Sequence, residues 1–486
     1  MKNFVLGLGA VVFALAAVVA GRVLLLDPAP VAEASPALMA VDAAAAAERL
    51  AGAIRIPTVT RNERDRVDWS QWPKLHDYLR RQFPHVDAAL THETVAQYSL
   101  LYRWQGSDAN AQPILLLAHQ DVVPIEPGTE SAWEHPPFAG AIAEGYVWGR
   151  GALDDKGSLV AQFEAVELLL ASGFTPKRTI YFAFGHDEEI GGEQGARQVA
   201  ALLASRGVKA EFSLDEGGAI TQGIVAGVAR PVASIMTAEK GYLSLKLTAH
   251  DAGGHSSRPP RITAIGRIAT AIARLQAEPL PARLGPPVTD MLDRLAPVMS
   301  PMLRLAVANR WLFGPLVEKR MTASSTTNAL VRTTTAPTIF RAGVKDNVLP
   351  VEAEATVNFR ILPGDSIASV TAQVRRIIDD PEVELLPCDF FSEPSPVSPV
   401  DTPAFAAIER ASHKVFPEAV VAPGLVIGAT DNRHYGAVRD ARYNYVPVML
   451  TEPDLLRLHG ANERIGVPDY ARLVQFYAQL LRDTAG

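Results

Sequence analysis

The chain has 486 residues, 48% of them apolar and 20% charged, which predicts a globular protein of at least two domains and excludes a disordered or fibrous one. A formal net charge of −7 leaves no basic face for nucleic acid, so none is expected as a partner. Cys388 is the only cysteine, which excludes an internal disulfide and Cys-rich metal sites; any metal must be held by His, Asp and Glu.

In chain order, Lys2 precedes an apolar run at 4–20, then Gly21-Arg22 and a second apolar patch at 23–26. This is the pattern of a secretory signal or a signal anchor. Cleavage after Ala20 would leave a small residue at the junction, but the apolar character resumes past Arg22 and favours an uncleaved anchor. A Pro/Ala-rich linker follows at 27–40. Helical periodicity covers 41–54, after which short apolar runs alternate with longer amphipathic segments, as in an α/β domain. PILLLA (113–118), TIYFAF (179–184) and 211–214 read as buried strands, with helices at 158–171 and 195–205 between them. From Tyr242 the pattern changes: GYLSLKLTAHD (241–251) alternates with period two, and helices at 263–276 and 367–378 flank further alternating strands. A strand at 443–450 and a helix at 469–481 close the chain. The division expected is 1–40 anchor and linker, 41–238 first part of a catalytic domain, 239–395 an inserted α+β domain, and 396–486 the second part.

Three polar clusters directly follow predicted strands: His119-Gln120-Asp121, His186-Asp187-Glu188-Glu189 and Asp215-Glu216. Open α/β sheets build their sites at such strand ends. GRGALDDKG (149–157) adds an Asp154-Asp155 pair where a helix begins. Singly, these clusters read as loop hydrogen bonds or helix caps. Together they would crowd carboxylates at several kcal/mol per uncompensated charge, roughly the cost of any buried ion, unless cations neutralise them. A divalent metal is the simplest solution, and the donor set suits zinc with open positions, with manganese or cobalt able to use the same ligands.

HQDVVP, GRGALDDKG, HDEEIGG, LDEGG, GGHSSRP, NFRILPGD and RLHGAN, in that order, resemble the di-zinc metallopeptidase family of aminoacylase, glutamate carboxypeptidase and carnosinase. RLAGAIRIPTVT (49–60), RTTTAPTIFRAGVKDNVLP (332–350) and ATVNFRILPGD (355–365) resemble the branch of carboxypeptidase S and the N-fatty-acyl-amino-acid hydrolases. The resemblance implies a three-layer αβα catalytic domain of the zinc-exopeptidase kind, with an inserted α+β lid or dimerisation domain, and a homodimer. It implies two zinc ions: His119 and Glu189 hold one each, Asp154 bridges them with a cis peptide to Asp155, and Asp215 and His459 complete the shells. Either acid of the Asp215-Glu216 pair can fall at the ligand position; the nearer branch selects Asp215. Asp121 orients His119, and Glu188 is the general base that takes a proton from water beside the metals. Asp187 and Glu216 are left as supporting residues. His255 stabilises the oxyanion across the dimer interface. Arg360 offers a guanidinium fork to a substrate carboxylate, with Asn328 near the same group; the alternative for both is a surface salt bridge or turn bond. The loop 430–434 (TDNRH) resembles a further active-site loop without assigned roles.

The activity implied is hydrolysis, or the reverse condensation, of the amide bond of N-acyl and above all N-fatty-acyl amino acids. The alternative is a carboxypeptidase or dipeptidase acting on short peptides. A non-catalytic binding protein on the same fold is disfavoured because Glu188 and all five ligand positions are intact. The segment 287–321 carries Leu292, Leu295, Met299, Met302, Leu303 and Leu305 at helical spacing, then Trp311-Leu312-Phe313. It reads as a helix pair that either packs on the inserted domain or walls an apolar channel beside the metals. The anchor places the catalytic domain outside the cytoplasm.

Overall fold

The computed structural model describes residues 2–26 and 38–486; most of the linker expected at 27–40 falls outside the described residues. The centre of the fold is a ten-stranded sheet. Nine strands lie in the order Thr91–Val95, Ser99–Trp104, Ile180–Gly185, Ile114–His119, Ala210–Asp215, Arg439–Asn444, Val232–Glu239, Ile220–Thr221 and Met449–Leu450. The tenth, Val420–Val426, pairs in parallel with Val232–Glu239.

Ile114–His119 runs parallel to both of its neighbours, and every residue in it is buried. A parallel strand is covered on both faces, which is why this stretch is continuously apolar instead of alternating. Ile114, Leu116 and Ala118 join a core with the helices Ala43–Ile54, Lys156–Ala171 and Val467–Ala485. Leu115 and Leu117 point the opposite way, toward the helix Ala196–Ser205. The result is the three-layer αβα arrangement that the resemblance implies. His119, Gly185 and Asp215 end three adjacent strands, so the polar clusters emerge along one edge of the sheet.

A separate four-stranded antiparallel sheet is ordered Thr334–Ala342, Glu352–Ile361, Gly241–His250, Glu384–Ser392. Alternate residues of Glu352–Ile361 are buried. They pack with the helices Ala264–Ala277 and Ile367–Ile378 in a core of their own. This is the α+β unit expected from the period-two pattern after Tyr242.

Two expectations are corrected. The strand expected at 443–450 is broken, because Arg439–Asn444 ends before Pro447 and only Met449–Leu450 resumes pairing, now with Ile220–Thr221. Proline has no N–H for the ladder and interrupts it there. The segment 287–321 is no helix pair on the inserted domain. It forms Val288–Leu295, Pro301–Ala308 and Arg310–Met321, with Pro301 and Asn309 marking the breaks. Leu292, Leu295 and Met299 pack with Val232, Val420 and Ala422 of the large sheet, and none of these contacts belongs to the polar edge. The N-terminal helix Lys2–Leu24 lies against Pro301–Ala308.

Candidate metal centre

Each cluster reaches the edge by a different local device. His119 is the last residue of its strand. Asp154 sits in the turn before the helix that begins at Lys156, and the peptide joining it to Asp155 is cis. Gly151, at φ +91°, allows that turn, since a side chain is disfavoured in the left-handed region. Glu188 and Glu189 lie in a short 3-10 turn, Glu188–Ile190, closed by Gly191 at φ +107°. His459 comes from the far end of the chain.

One carboxylate stands between two imidazoles. Asp154 Oδ1 lies 2.9 Å from His119 Nε2, and Asp154 Oδ2 lies 3.0 Å from His459 Nε2. Glu216 Oε1 is 3.5 Å from His119 Nε2, and Glu189 Oε2 is 3.3 Å from His459 Nε2. The donors therefore form two triads, His119–Asp154–Glu216 and Asp154–Glu189–His459, sharing Asp154.

Glu216 stands in the first triad, at the place where the sequence reading expected Asp215. Asp215 Oδ2 accepts the Asn432 N–H at 2.8 Å, which ties that oxygen to the loop 430–434. Adjacent residues leaving a strand point to opposite sides, and here the second of the two acids points at His119.

Asp121 does more than orient His119. Its carboxylate accepts the backbone N–H groups of Glu188 and Glu189, both at 3.1 Å, and the Thr60 hydroxyl at 2.7 Å. It thus fixes the turn that carries both glutamates. The His119 ring is held mainly by the Asp121 backbone carbonyl, 3.0 Å from Nδ1, with the carboxylate at 3.5 Å. A proton held on Nδ1 leaves Nε2 to face the triad.

Glu463 was not singled out from the sequence, yet it shapes the site. Fully buried, it accepts N–H groups from Gly151 at 3.0 Å, Leu153 at 2.9 Å and Asp154 at 3.2 Å, and pairs with Arg150 at 2.6 Å. It therefore holds the loop that presents Asp154, and its place four residues after His459 was the only signal available.

The charge balance of the edge calls for cations. Burial pushes the carboxyls of Glu216 up to about 8, Glu189 up to about 7 and Asp215 up to about 6. Burial likewise drives Asp155, Glu188 and Asp431 well above the carboxylate range. Asp154 moves the other way, because the His119 and His459 bonds outweigh its burial. Asp154 and then Glu189 push His459 up to about 10. Burial opposes protonation of His119, but Asp121, Asp154 and Glu216 raise it well above its ordinary value. The imidazoles thus act as stand-in cations between carboxylates.

Glu189 Oε1 and both oxygens of Asp431 are buried without a partner among the described residues. Donors about 2.0–2.2 Å from a tetrahedral ion stand roughly 3.3 Å apart, and the observed separations of 2.9 to 3.5 Å straddle that spacing. The donors present fit divalent metal, which would replace protons now shared between His and carboxylate.

Arg360 lies near the edge but outside the triads. Its guanidinium sits over the Tyr242 ring at 4.6 Å, and that ring packs on Phe390 at 5.1 Å. Phe390 carries Arg433 at 5.3 Å, and Arg433 donates to the Gly191 carbonyl at 2.7 Å. Two arginines and two aromatic rings therefore lead away from the glutamate turn. The loop 430–434 supplies Asn432 and Arg433 here, and His434 approaches the Gly191 carbonyl at 3.0 Å. Asn328 is not brought to this group: its amide oxygen accepts from Arg332 Nε at 3.0 Å within its own segment. His255 stands exposed on a small two-stranded sheet, paired with Val348, where its Nδ1 accepts the Ser257 N–H at 3.1 Å; no bond joins it to its own chain's triads among the described residues.

The sequence model of Peptidase family M20/M25/M40 matches residues 115–483. The N-fatty-acyl-amino acid synthase/hydrolase PM20D1 of Xenopus tropicalis is 43% identical over 90% of this chain and 85% of its own length. A probable carboxypeptidase S-like protein of Dictyostelium discoideum is 41% identical over 90% of this chain and 85% of its own. Among solved structures, an M20 family metallo-carboxypeptidase from Sulfolobus solfataricus superposes with a TM-score of 0.64 at 19% identity, covering 90% of this chain and 98% of that one.

Proposed function

The chain belongs to Peptidase family M20/M25/M40 and is a metal-dependent hydrolase of amide or peptide bonds, and from that premise we propose that it cleaves, and in reverse forms, the amide bond of N-fatty-acyl amino acids. The observation that carries the chemistry is Asp154 presenting one oxygen to each of two imidazoles. Similarity to a relative named for N-fatty-acyl amino acids supports the substrate.

His119, Asp154 and Glu216 would hold one zinc ion, and Asp154, Glu189 and His459 the other, with manganese or cobalt able to use the same donors. When bound, such ions polarise the scissile carbonyl and acidify nearby water. Glu188 takes the proton of the attacking water and delivers it to the leaving amine nitrogen; in synthesis it works in the opposite direction. Asp121 holds the Glu188 backbone so that this carboxylate stays aimed. Arg360 pairs with the substrate carboxylate. Asn328, tied to Arg332, is left out of that contact. Within residues 239–395, the unit built on the four-stranded sheet acts as the lid and dimerisation domain while 287–321 stays packed on the large sheet, and His255 acts on the oxyanion in the partner subunit's site. The N-terminal helix anchors the chain in a membrane, with the catalytic domain outside the cytoplasm.

The test is a panel of N-acetyl, N-octanoyl and N-lauroyl amino acids beside unacylated dipeptides, on zinc-loaded protein. Each methylene buried is worth about 0.8 kcal/mol, so kcat/KM should rise steadily with chain length. A flat profile, or a preference for dipeptides, would favour the carboxypeptidase reading, which the similarity to the carboxypeptidase S-like relative supports.

A further inference from the structure

The N-terminal helix contains a span, Leu6–Leu24, of mean hydropathy 2.1 with none of it buried in the molecule. It is nevertheless seated on the body at its C-terminal end. Asn309 Nδ2 donates to the Val19 carbonyl at 3.1 Å, the helix lies along Pro301–Ala308, and Leu26 joins the core beneath. Whatever surface surrounds that point of exit must face the bilayer that the helix enters.

The surface there is apolar and basic. Met302 is 80% exposed, Trp311 53%, Leu312 40% and Leu316 60%, all within the two helices Pro301–Ala308 and Arg310–Met321. Over the same stretch the chain carries Arg304, Arg310, Lys319 and Arg320 against one acid, Glu318, and of these Arg310 is paired with Asp293 at 2.7 Å. Lys319 and Arg320 stand exposed. The inward side of these helices is core, through Val307, Val317 and Met321, so packing within the chain does not account for the outward side. An apolar face bordered by Lys and Arg is the pattern of a helix lying in the membrane interface.

We infer that Pro301–Ala308 and Arg310–Met321 form a membrane-seating surface, inserted into the headgroup region of an anionic bilayer beside the spanning helix. Trp311, Leu316 and Met302 enter the acyl boundary, to a depth of about 5–10 Å, while Lys319 and Arg320 meet lipid phosphates. The spanning helix alone would leave the body free to swing on its linker. This second contact fixes its orientation, so the catalytic edge keeps one attitude toward a surface where fatty-acyl amides partition. The inference rests on reading the N-terminal helix as an anchor.

The experiment uses the full chain in vesicles of phosphatidylcholine and phosphatidylglycerol, with and without brominated acyl chains. Trp311 is one of six tryptophans, so its emission is taken as the difference between the wild type and Trp311→Phe. Retained activity of that variant on a short soluble N-acyl amino acid confirms that it is folded. The expected result is flotation of both proteins with the vesicles, and loss of about half or more of the Trp311 emission to the bromolipid. Met302→Asp combined with Leu316→Asp should still float but lose most of that quenching. Flotation without any quenching of Trp311 would overturn the seating surface and leave the anchor standing; emission already shielded in detergent would assign the patch to a second copy of the chain instead. Failure to float would overturn both readings.

Discussion

Glu216→Gln should cost the protein one metal ion per subunit, and Asp215→Asn should not. In the structure the first triad consists of His119 Nε2, Asp154 Oδ1 at 2.9 Å and Glu216 Oε1 at 3.5 Å. Neutralising Glu216 leaves one imidazole and one shared carboxylate oxygen, fewer than the three protein ligands that a catalytic zinc site uses. Changing even an outer partner of a metal ligand weakens binding about 10- to 100-fold. Removing a direct ligand should therefore exceed about 100-fold, or about 2.8 kcal/mol. Asp215 is different, because its Oδ2 serves the Asn432 N–H at 2.8 Å and the amide oxygen of asparagine can accept the same bond. The assay is metal analysis of each variant after desalting, with a competitive zinc titration for affinity. The expected contents are two ions for wild type and Asp215→Asn, and one for Glu216→Gln. One ion in Asp215→Asn with two in Glu216→Gln would refute the geometric assignment and restore the choice made from sequence.

Glu188→Gln should keep both ions and lose about a hundred- to ten-thousandfold in kcat, since the proton acceptor is removed while the ligands remain; metal analysis beside steady-state rates checks both halves. Chelation should abolish amidase activity, and added zinc or cobalt should restore it. Metal affinity should rise with pH, because His459 is pushed up to about 10 and His119 is raised well above its ordinary value, so ions must displace their protons. The slope should be about tenfold per pH unit for each proton displaced, read by zinc titration across neutral to mildly alkaline pH. In the metal-free protein the same raised imidazoles contribute stability that is full below their ordinary pKa and lost as pH climbs toward about 10, which thermal melts would register as a falling Tm. Finally, a heterodimer of a His255→Ala subunit and a Glu188→Gln subunit should regain activity through one composite site, whereas an inactive, verified heterodimer would place the His255 role within its own chain.

Much of this was legible along the chain because strand ends are local. An unbroken apolar run such as 114–118 marks a strand covered on both faces, and the polar residues that follow it must emerge at an edge of the sheet. His119, Glu188-Glu189 and Asp215-Glu216 could be found in that way, and the ordered motifs joined them to Asp154 and His459. The tertiary structure alone decided which of two neighbouring acids faces His119, because that depends on Asn432 arriving from 217 residues away to claim Asp215. Only the fold could bring Glu463 beneath the Gly151–Asp154 turn, across a separation of 309 to 312 residues. The helical spacing at 287–321 showed that one side would be apolar but not what it would meet. Periodicity describes a face, and only packing supplies its partner: the inner side found Val232, Val420 and Ala422, while Met302, Trp311 and Leu316 stayed outward.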